Sequence, residues 1–285
     1  MLLILITRTM STIQTPLGSV EFLPYPGRLL KIGDFDAVSV TKIQQRLNAV
    51  GCGPITENGF FDVETKNAIK LFQIRYPDIE GHSLVVDGIL GILTWASLFG
   101  AESVSSYTTA PSDLTLAAIN VAITQIGVLE DPLGSNRGPI VDQYQQAIGL
   151  NLEYGKPGYA WCVAFTYYCY QQAAAEIGLS CNPHIKTAGA LDHWNKSKAK
   201  LGITRISRIQ ATADPSLIRP GALFIIDYGS GLGHTGIVTE INQGRLVTIE
   251  GNTNPGAPSN GIGVFKRSSR KISEINRGFI DYSLF

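Results

Sequence analysis

The sequence predicts two domains of different class: a small all-α bundle of three helices over residues 31–100, then an α+β domain over residues 114–285. Three observations carry that division. Apolar residues recur at helical spacing through the first hundred residues, and each run stops at a glycine or a turn. A stretch rich in serine and threonine, residues 101–113 (AESVSSYTTAPSD), reads as a linker. Beyond about residue 220 the pattern changes to short runs of period two, the mark of strands.

The elements follow in order. Residues 11–30 contain Pro16, Gly18, Pro24, Pro26 and Gly27 and are expected to be irregular. Val40, Ile43, Leu47 and Val50 make a helical stripe that stops at Gly51. Asp62 is placed to cap a second helix whose apolar face is Thr65, Ala68, Ile69, Phe72 and Tyr76. Val86-Asp87-Gly88 opens a third helix that ends at Gly100, with Leu93, Trp95 and Leu98 as core. Gly59-Phe-Phe-Asp-Val-Glu-Thr65 and Gly88-Ile-Leu-Gly-Ile-Leu-Thr94 share a glycine, two apolar residues and a threonine at the same offsets. Two copies of one turn-into-helix unit account for that echo.

In the second domain Leu116, Ile119, Ala122, Ile123 and Ile126 share one face of a helix ending at Gly127. Val141, Tyr144 and Ile148 mark a short helix after a loop. From Cys162 no breaker occurs until Gly178, and Cys162, Phe165, Cys169, Ala173 and Ile177 recur at helical spacing. Runs at 222–228, 235–241, 245–250, 262–266 and 278–282 then give an antiparallel sheet of about five strands. Helices first and a sheet afterwards make the domain α+β.

Composition narrows the function classes. The 23 basic and 23 acidic residues balance, so no whole-chain field points to nucleic acid. The basic run from Lys186 to Arg208 reads as a solvated face. Four scattered cysteines do not form a disulfide framework. Cys162 and Cys169 lie two helical turns apart, about 10 Å, too far to pair. No Cys/His ligand cluster suggests zinc. Leu2 to Ile6 is shorter than the apolar core of a secretory leader, and no run is long enough to span a membrane.

The chemistry is placed at Trp161-Cys162. A thiol at a helix N-terminus faces unpaired N–H groups and the positive end of the dipole, both of which favour thiolate. A nucleophilic thiol needs a base, and the base needs a group to orient it. His184 and His193 fall in a stretch broken by proline and glycine and are expected on the surface. His234 stands in Gly233-His-Thr-Gly236 at the start of a strand, where the glycines leave room for a substrate backbone. The next strand ends in Glu250-Gly251-Asn252 and pairs back along the His234 strand. Glu250 and Asn252 are two apart and so face one side; either can accept the far imidazole proton.

Two resemblances enter on these residues. Val40-x-x-Ile-Gln-x-x-Leu47, Gly59-Phe-Phe-Asp-x-x-Thr65-x-x-Ala-Ile-x-x-Phe-Gln73 and Val86-Asp-Gly-x-Leu-Gly-x-x-Thr94-Trp95 resemble the three-helix peptidoglycan-binding domain of cell-wall hydrolases. Trp161-Cys-Val-Ala-Phe165, Arg219-Pro-Gly-Ala-Leu-Phe224, Gly233-His-Thr-Gly-Ile-Val238 and Ile249-Glu-Gly-Asn252 resemble the CHAP family of cysteine- and histidine-dependent amidohydrolases/peptidases. The second resemblance implies a papain-like α+β fold in which Cys162 attacks an amide carbonyl and His234 acts as base and then acid. Glu250 orients the imidazole in that scheme, with Asn252 in reserve. Some CHAP domains bind calcium just ahead of the cysteine; here Glu130, Asp131 and Asp142 are too widely spaced for a loop ligand set, so neither metal nor cofactor is expected.

Together the two likenesses imply a modular, endolysin-like peptidoglycan hydrolase that acts as a monomer at the bacterial cell wall. Holin-type release or another route without a leader would carry it there. The bond cut is either the N-acetylmuramoyl-L-alanine amide or one within the stem peptide or crossbridge. A wall-binding protein without activity and a general papain-like cysteine protease are the rival readings.

Overall fold

Two aspartates, each just ahead of an apolar stripe, start the first two long helices. The Asp36 side chain accepts from Ser39 N–H at α1 (Ala37–Ala49), and Asp62 accepts from Thr65 N–H at α2 (Val63–Arg75). The computed structural model describes residues 12–104, 111–242, 244–254 and 261–285. Its contacts divide the chain into two units, Met1–Ser106 and Tyr107–Phe285. The apolar run at Leu2 to Ile6 lies outside the described residues.

The first unit is not all-α. Residues expected to be irregular instead form a hairpin, β1 (Thr12–Thr15) paired with β2 (Gly18–Glu21). Gly18 takes a φ of 89° at the turn, a conformation glycine adopts without penalty. The buried Arg46 guanidinium ties this hairpin to the helices, donating to Thr15 Oγ1, Leu17 O and Leu98 O. The third helix, α3 (Ile92–Phe99), starts later than expected, because Val86 to Gly88 forms a turn. Val40, Ile43, Leu47, Phe61, Ile69, Phe72, Leu90, Trp95 and Leu98 make the core. Ala101–Ser103 adds a 3-10 turn and Val104 is buried in that core, so residues 101–104 are part of the unit rather than linker. Residues 105–110 of the expected linker lie outside the described residues.

The sequence echo has a structural cause. Gln44 donates to Asn58 Oδ1, Phe60 O and Thr65 Oγ1, and its carbonyl oxygen accepts from Gly59 N–H. Gln73 donates to Asp87 Oδ1, Ile89 O and Thr94 Oγ1, and accepts from Gly88 N–H. Each member of the second set lies 29 residues after its counterpart (44 to 73, 58 to 87, 59 to 88, 65 to 94). A buried amide on one helix thus satisfies the turn that launches the next helix, twice over.

The second unit runs α4 (Asp113–Thr124), α5 (Pro139–Ala147), α6 (Cys162–Glu176), α7 (Ala190–Ser197), β3 (Thr204–Ser207), α8 (Arg208–Ala213), β4 (Leu223–Gly229), β5 (Leu232–Asn242), β6 (Arg245–Thr253), β7 (Gly263–Lys271) and β8 (Gly278–Asp281). The antiparallel sheet has six described strands in the order β3-β8-β4-β5-β6-β7. The expected five are joined by β3, a four-residue edge strand paired only with β8. Alternate residues face two cores. Leu223, Ile225, Ile237, Ile249 and Ile280 pack against α4, α5 and α6, while Phe224, Ile226, Val238, Leu246 and Phe279 pack beneath Ala211, Ile218 and Ile275.

The helix α4 is rotated from expectation. Leu114, Ala117, Ala118, Ile119 and Ala122 are buried, whereas Leu116 is 46% and Ile123 52% exposed. Close packing on α6 selects the small alanine face over the bulkier one. Ile177, expected on the buried stripe of α6, caps that helix and is exposed.

Candidate active site

Cys162 is the first residue of α6, and the chain leading into it is anchored on both sides. Trp161 is fully buried; its indole N–H donates to Glu130 Oε1 at 2.9 Å and its backbone N–H to Asn252 Oδ1 at 3.3 Å. Its ring packs on Tyr144, with centroids 5.6 Å apart. These contacts fix where the helix, and so the thiol, begins. Cys162 is 5% exposed and packs against Val163 and Ala190. The other described thiols sit elsewhere. Burial pushes Cys169 well up and Cys52 up, and Cys181 is exposed.

His234 is the third residue of β5 rather than its first, opposite Ile226 of β4. Its Nε2 lies 2.9 Å from Glu250 Oε2, and its ring lies near enough to Cys162 for the thiol to bear on its protonation. With Nε2 held by the carboxylate, Nδ1 is the ring nitrogen left to meet the thiol. Burial by itself would lower the imidazole pKa. The hydrogen bonds to Cys162 and Glu250, and then the charges of both, overcome burial and raise it to about 9.

Glu250 reaches His234 because of a glycine. A Cβ at Gly236 would stand 2.7 Å from Glu250 Cγ, 2.9 Å from Ile249 O and 2.9 Å from the Phe224 ring. Gly233 is similarly hemmed in by Ile226 O, Leu191 and Ala190. The glycines around His234 therefore leave room for the protein's own carboxylate and packing, not for a substrate backbone. The carboxylate of Glu250 is fully buried and accepts from Arg270 Nε at 2.5 Å, Arg270 Nη2 at 2.7 Å and Thr248 Oγ1 at 2.6 Å. Burial would raise its pKa; the bonds from Arg270 and then His234 hold it well below the usual carboxylate range instead.

Asn252 does not join that set. The ladder of β6 on β7 is irregular between Glu250 and Thr253, and Asn252 has a φ of 53°. That left-handed residue breaks the alternation that would have turned both side chains to one face. The Asn252 amide bonds Trp161 N–H and donates to Asn136 Oδ1 at 3.0 Å, on the approach to Cys162. Gly251 is placed by close approach: a Cβ there would lie 2.6 Å from Phe165 and 2.7 Å from Trp161.

The remaining histidines of this unit are buried, not on the surface. The His184 and His193 rings lie 4.4 Å apart, tilted by 43°, and Tyr282 stacks on His184. The acids ahead of Cys162 do not converge on a cation position. Glu130 serves Trp161 Nε1 and Asn136 N–H, and Asp142 forms an ion pair with Arg137. Among the described residues no group of three or more His, Cys, Asp or Glu is placed to hold a metal ion.

Sequence reasoning missed Arg270, Thr248 and the anchoring part of Glu130. Thr248 had a signal, since it lies two residues before Glu250 on the same face. Arg270 had none, because a strand irregularity brings it there.

Comparison with known families gives two matches, one in each unit. Residues 37–98 match the family described as "Putative peptidoglycan binding domain", and residues 154–252 match the CHAP domain. Neither the curated proteins nor the solved structures supply a match to the chain.

Proposed function

From a chain that carries a peptidoglycan-binding domain followed by a CHAP domain, the architecture of a modular peptidoglycan hydrolase, we propose a cysteine hydrolase that cuts an amide bond of the bacterial cell wall. One observation carries the reading: His234 Nε2 is held by the buried Glu250 carboxylate, and its ring neighbours Cys162 at the start of α6. That is the arrangement a thiolate–imidazolium pair requires.

In the proposed sequence the Cys162 sulfur attacks the amide carbonyl and a C–S bond forms. The N–H of Cys162, at the start of α6, meets the oxyanion. As the C–N bond breaks, the His234 imidazolium passes its proton to the leaving amine. Water then attacks the thioester with His234 as base, releasing the carboxylic acid and restoring the thiol. A histidine raised to about 9 is protonated at neutral pH and ready for the first of these transfers. Glu250 orients that ring and balances its charge. Asn252, seated on Trp161, holds the loop that aims Cys162 rather than the imidazole. The first unit binds the polymer and raises the local concentration of scissile bonds.

The test is Cys162→Ala. Lysis of purified walls falls to below about one part in a thousand of the parent rate, while sedimentation with walls is unchanged. Residual lysis above that level would remove Cys162 as nucleophile.

A further inference from the structure

Glu250 has more partners than an orienting carboxylate needs. Its Oε2 accepts from both His234 Nε2 (2.9 Å) and Arg270 Nη2 (2.7 Å). Its Oε1 accepts from Arg270 Nε (2.5 Å) and Thr248 Oγ1 (2.6 Å). Four donors leave the carboxylate no freedom to turn, and the oxygen bound to His234 is itself gripped by the guanidinium. Arg270 is well packed: its side chain is 12% exposed and its guanidinium lies 4.8 Å from the centroid of the Phe224 ring. That ring also contacts His234, with centroids 5.7 Å apart.

The backbone places Arg270 there by an irregularity. On β6 and β7, Thr248 pairs with Arg267, but Leu246 pairs with Arg270. Two residues on β6 are matched by three on β7. A regular ladder would set residue 269 opposite Leu246 and turn Arg270 to the other face of the sheet. The extra residue reverses the alternation and delivers the guanidinium to the Glu250 side. A strap between neighbouring strands would not need that detour, because Arg267 already stands opposite Thr248.

We infer that Arg270 is a positioning residue of the site, which fixes and keeps ionised the carboxylate that orients His234, so that Arg270, Glu250, His234 and Cys162 form one continuous chain. The inference rests on the reading of Cys162, His234 and Glu250 given above. Titratable and charged groups face it from every neighbouring element: Cys162 on α6, His234 on β5, Tyr228 on β4, Arg267 on β7, and Glu274 just beyond β7. Of the forces acting on Glu250, burial is the largest and favours the neutral acid, and the Arg270 bond is the largest opposing it. Without Arg270 the carboxyl titrates higher and is free to turn from the ring, so it stabilises the imidazolium less. The His234 pKa then falls.

The experiment follows the His234 ring by NMR against pH in the full-length protein, as parent, Arg270→Gln and Arg270→Lys. Thermal unfolding serves as the check of fold. In Arg270→Gln the His234 titration moves down by about one unit or more, and the alkaline limb of wall lysis moves with it. Arg270→Lys keeps the charge but not the two-pronged fit, and moves it by less. An unmoved His234 titration in folded Arg270→Gln would overturn the inference. If that variant does not fold, Arg270→Lys decides: a downward shift supports the inference and none overturns it. The titration reads Arg270 whatever is cut. Continued lysis by Cys162→Ala is the separate sign that the reading of the site has failed.

Discussion

Three buried histidines in the second unit hold opposite protonation states, and the difference lies in their partners. His184 is 2%, His193 0% and His234 7% exposed, so burial alone would push all three toward the neutral form. The first two obey. His184 Nδ1 faces the carbonyl of Ile185 and its Nε2 faces the Thr166 hydroxyl, while His193 Nε2 meets the Tyr282 hydroxyl. Among the described residues, no carboxylate hydrogen-bonds either ring. Burial, and then the neighbouring His193, hold His184 well below the ordinary imidazole value, and burial lowers His193 to about 3. His234 meets the same burial but has an ionised Glu250 on Nε2 and Cys162 beside the ring, and rises to about 9. Whether a buried histidine is charged is set by what faces it, not by how deep it lies.

The largest effect that would break this contrast is Glu250→Gln. The amide keeps the shape but removes the charge, so wall lysis falls by about a hundredfold or more and the alkaline limb moves below pH 9. An alkaline limb that stays in place would mean that Glu250 is not what distinguishes His234. Asn252→Ala, by contrast, lowers the rate through the Cys162 loop and leaves the limb unmoved.

Gly236→Ala has a smaller effect. The added methyl meets the Glu250 side chain and a backbone carbonyl, costing about 1–3 kcal/mol of stability. It also pushes the carboxylate off His234, and the His234 titration falls toward its ordinary range. A variant with normal stability and an unmoved His234 would show that Gly236 is not the gap through which Glu250 reaches the ring.

Stability against pH gives the smallest effect and sharpens the other side. The folded-state values of His184 and His193 are lowered, so their contribution is complete above about pH 6.5 and declines as pH falls toward 3. His234 is raised, so its contribution is complete below about 6.5 and is lost as pH rises through about 9. His193→Phe keeps ring volume and removes one of the acid-sensitive groups. Its melting temperature therefore falls less steeply than the parent's between pH 6.5 and 4. Identical slopes would show that the pair does not titrate as its surroundings dictate.

Much of this arrangement was legible beforehand. The start of α6 at Cys162 followed from the unbroken run after a glycine-rich approach, and the nearness of Glu250 to His234 followed from the hairpin. Sheet irregularities hid the rest. The period-two rule assigned Asn252 to the Glu250 face, and a single left-handed residue moved it to Trp161. The same rule pointed Arg270 away from the site, and one extra residue in β7 brought it back. His184 and His193 looked exposed because proline and glycine surround them in sequence, yet β8 brings the adjoining Tyr282 against both rings. The hairpin ahead of α1 was missed because its strands are only four residues long.

The central claim is that Cys162, activated by a charged His234, hydrolyses an amide of the wall. Mass spectrometry of the fragments released from purified peptidoglycan tests it most directly. Digestion by the parent protein creates new amino termini and matching carboxyl ends, with no new reducing sugar ends, and the masses say which amide was opened. Cys162→Ala releases none of these fragments. New reducing ends, or the same fragments from Cys162→Ala, would contradict the account.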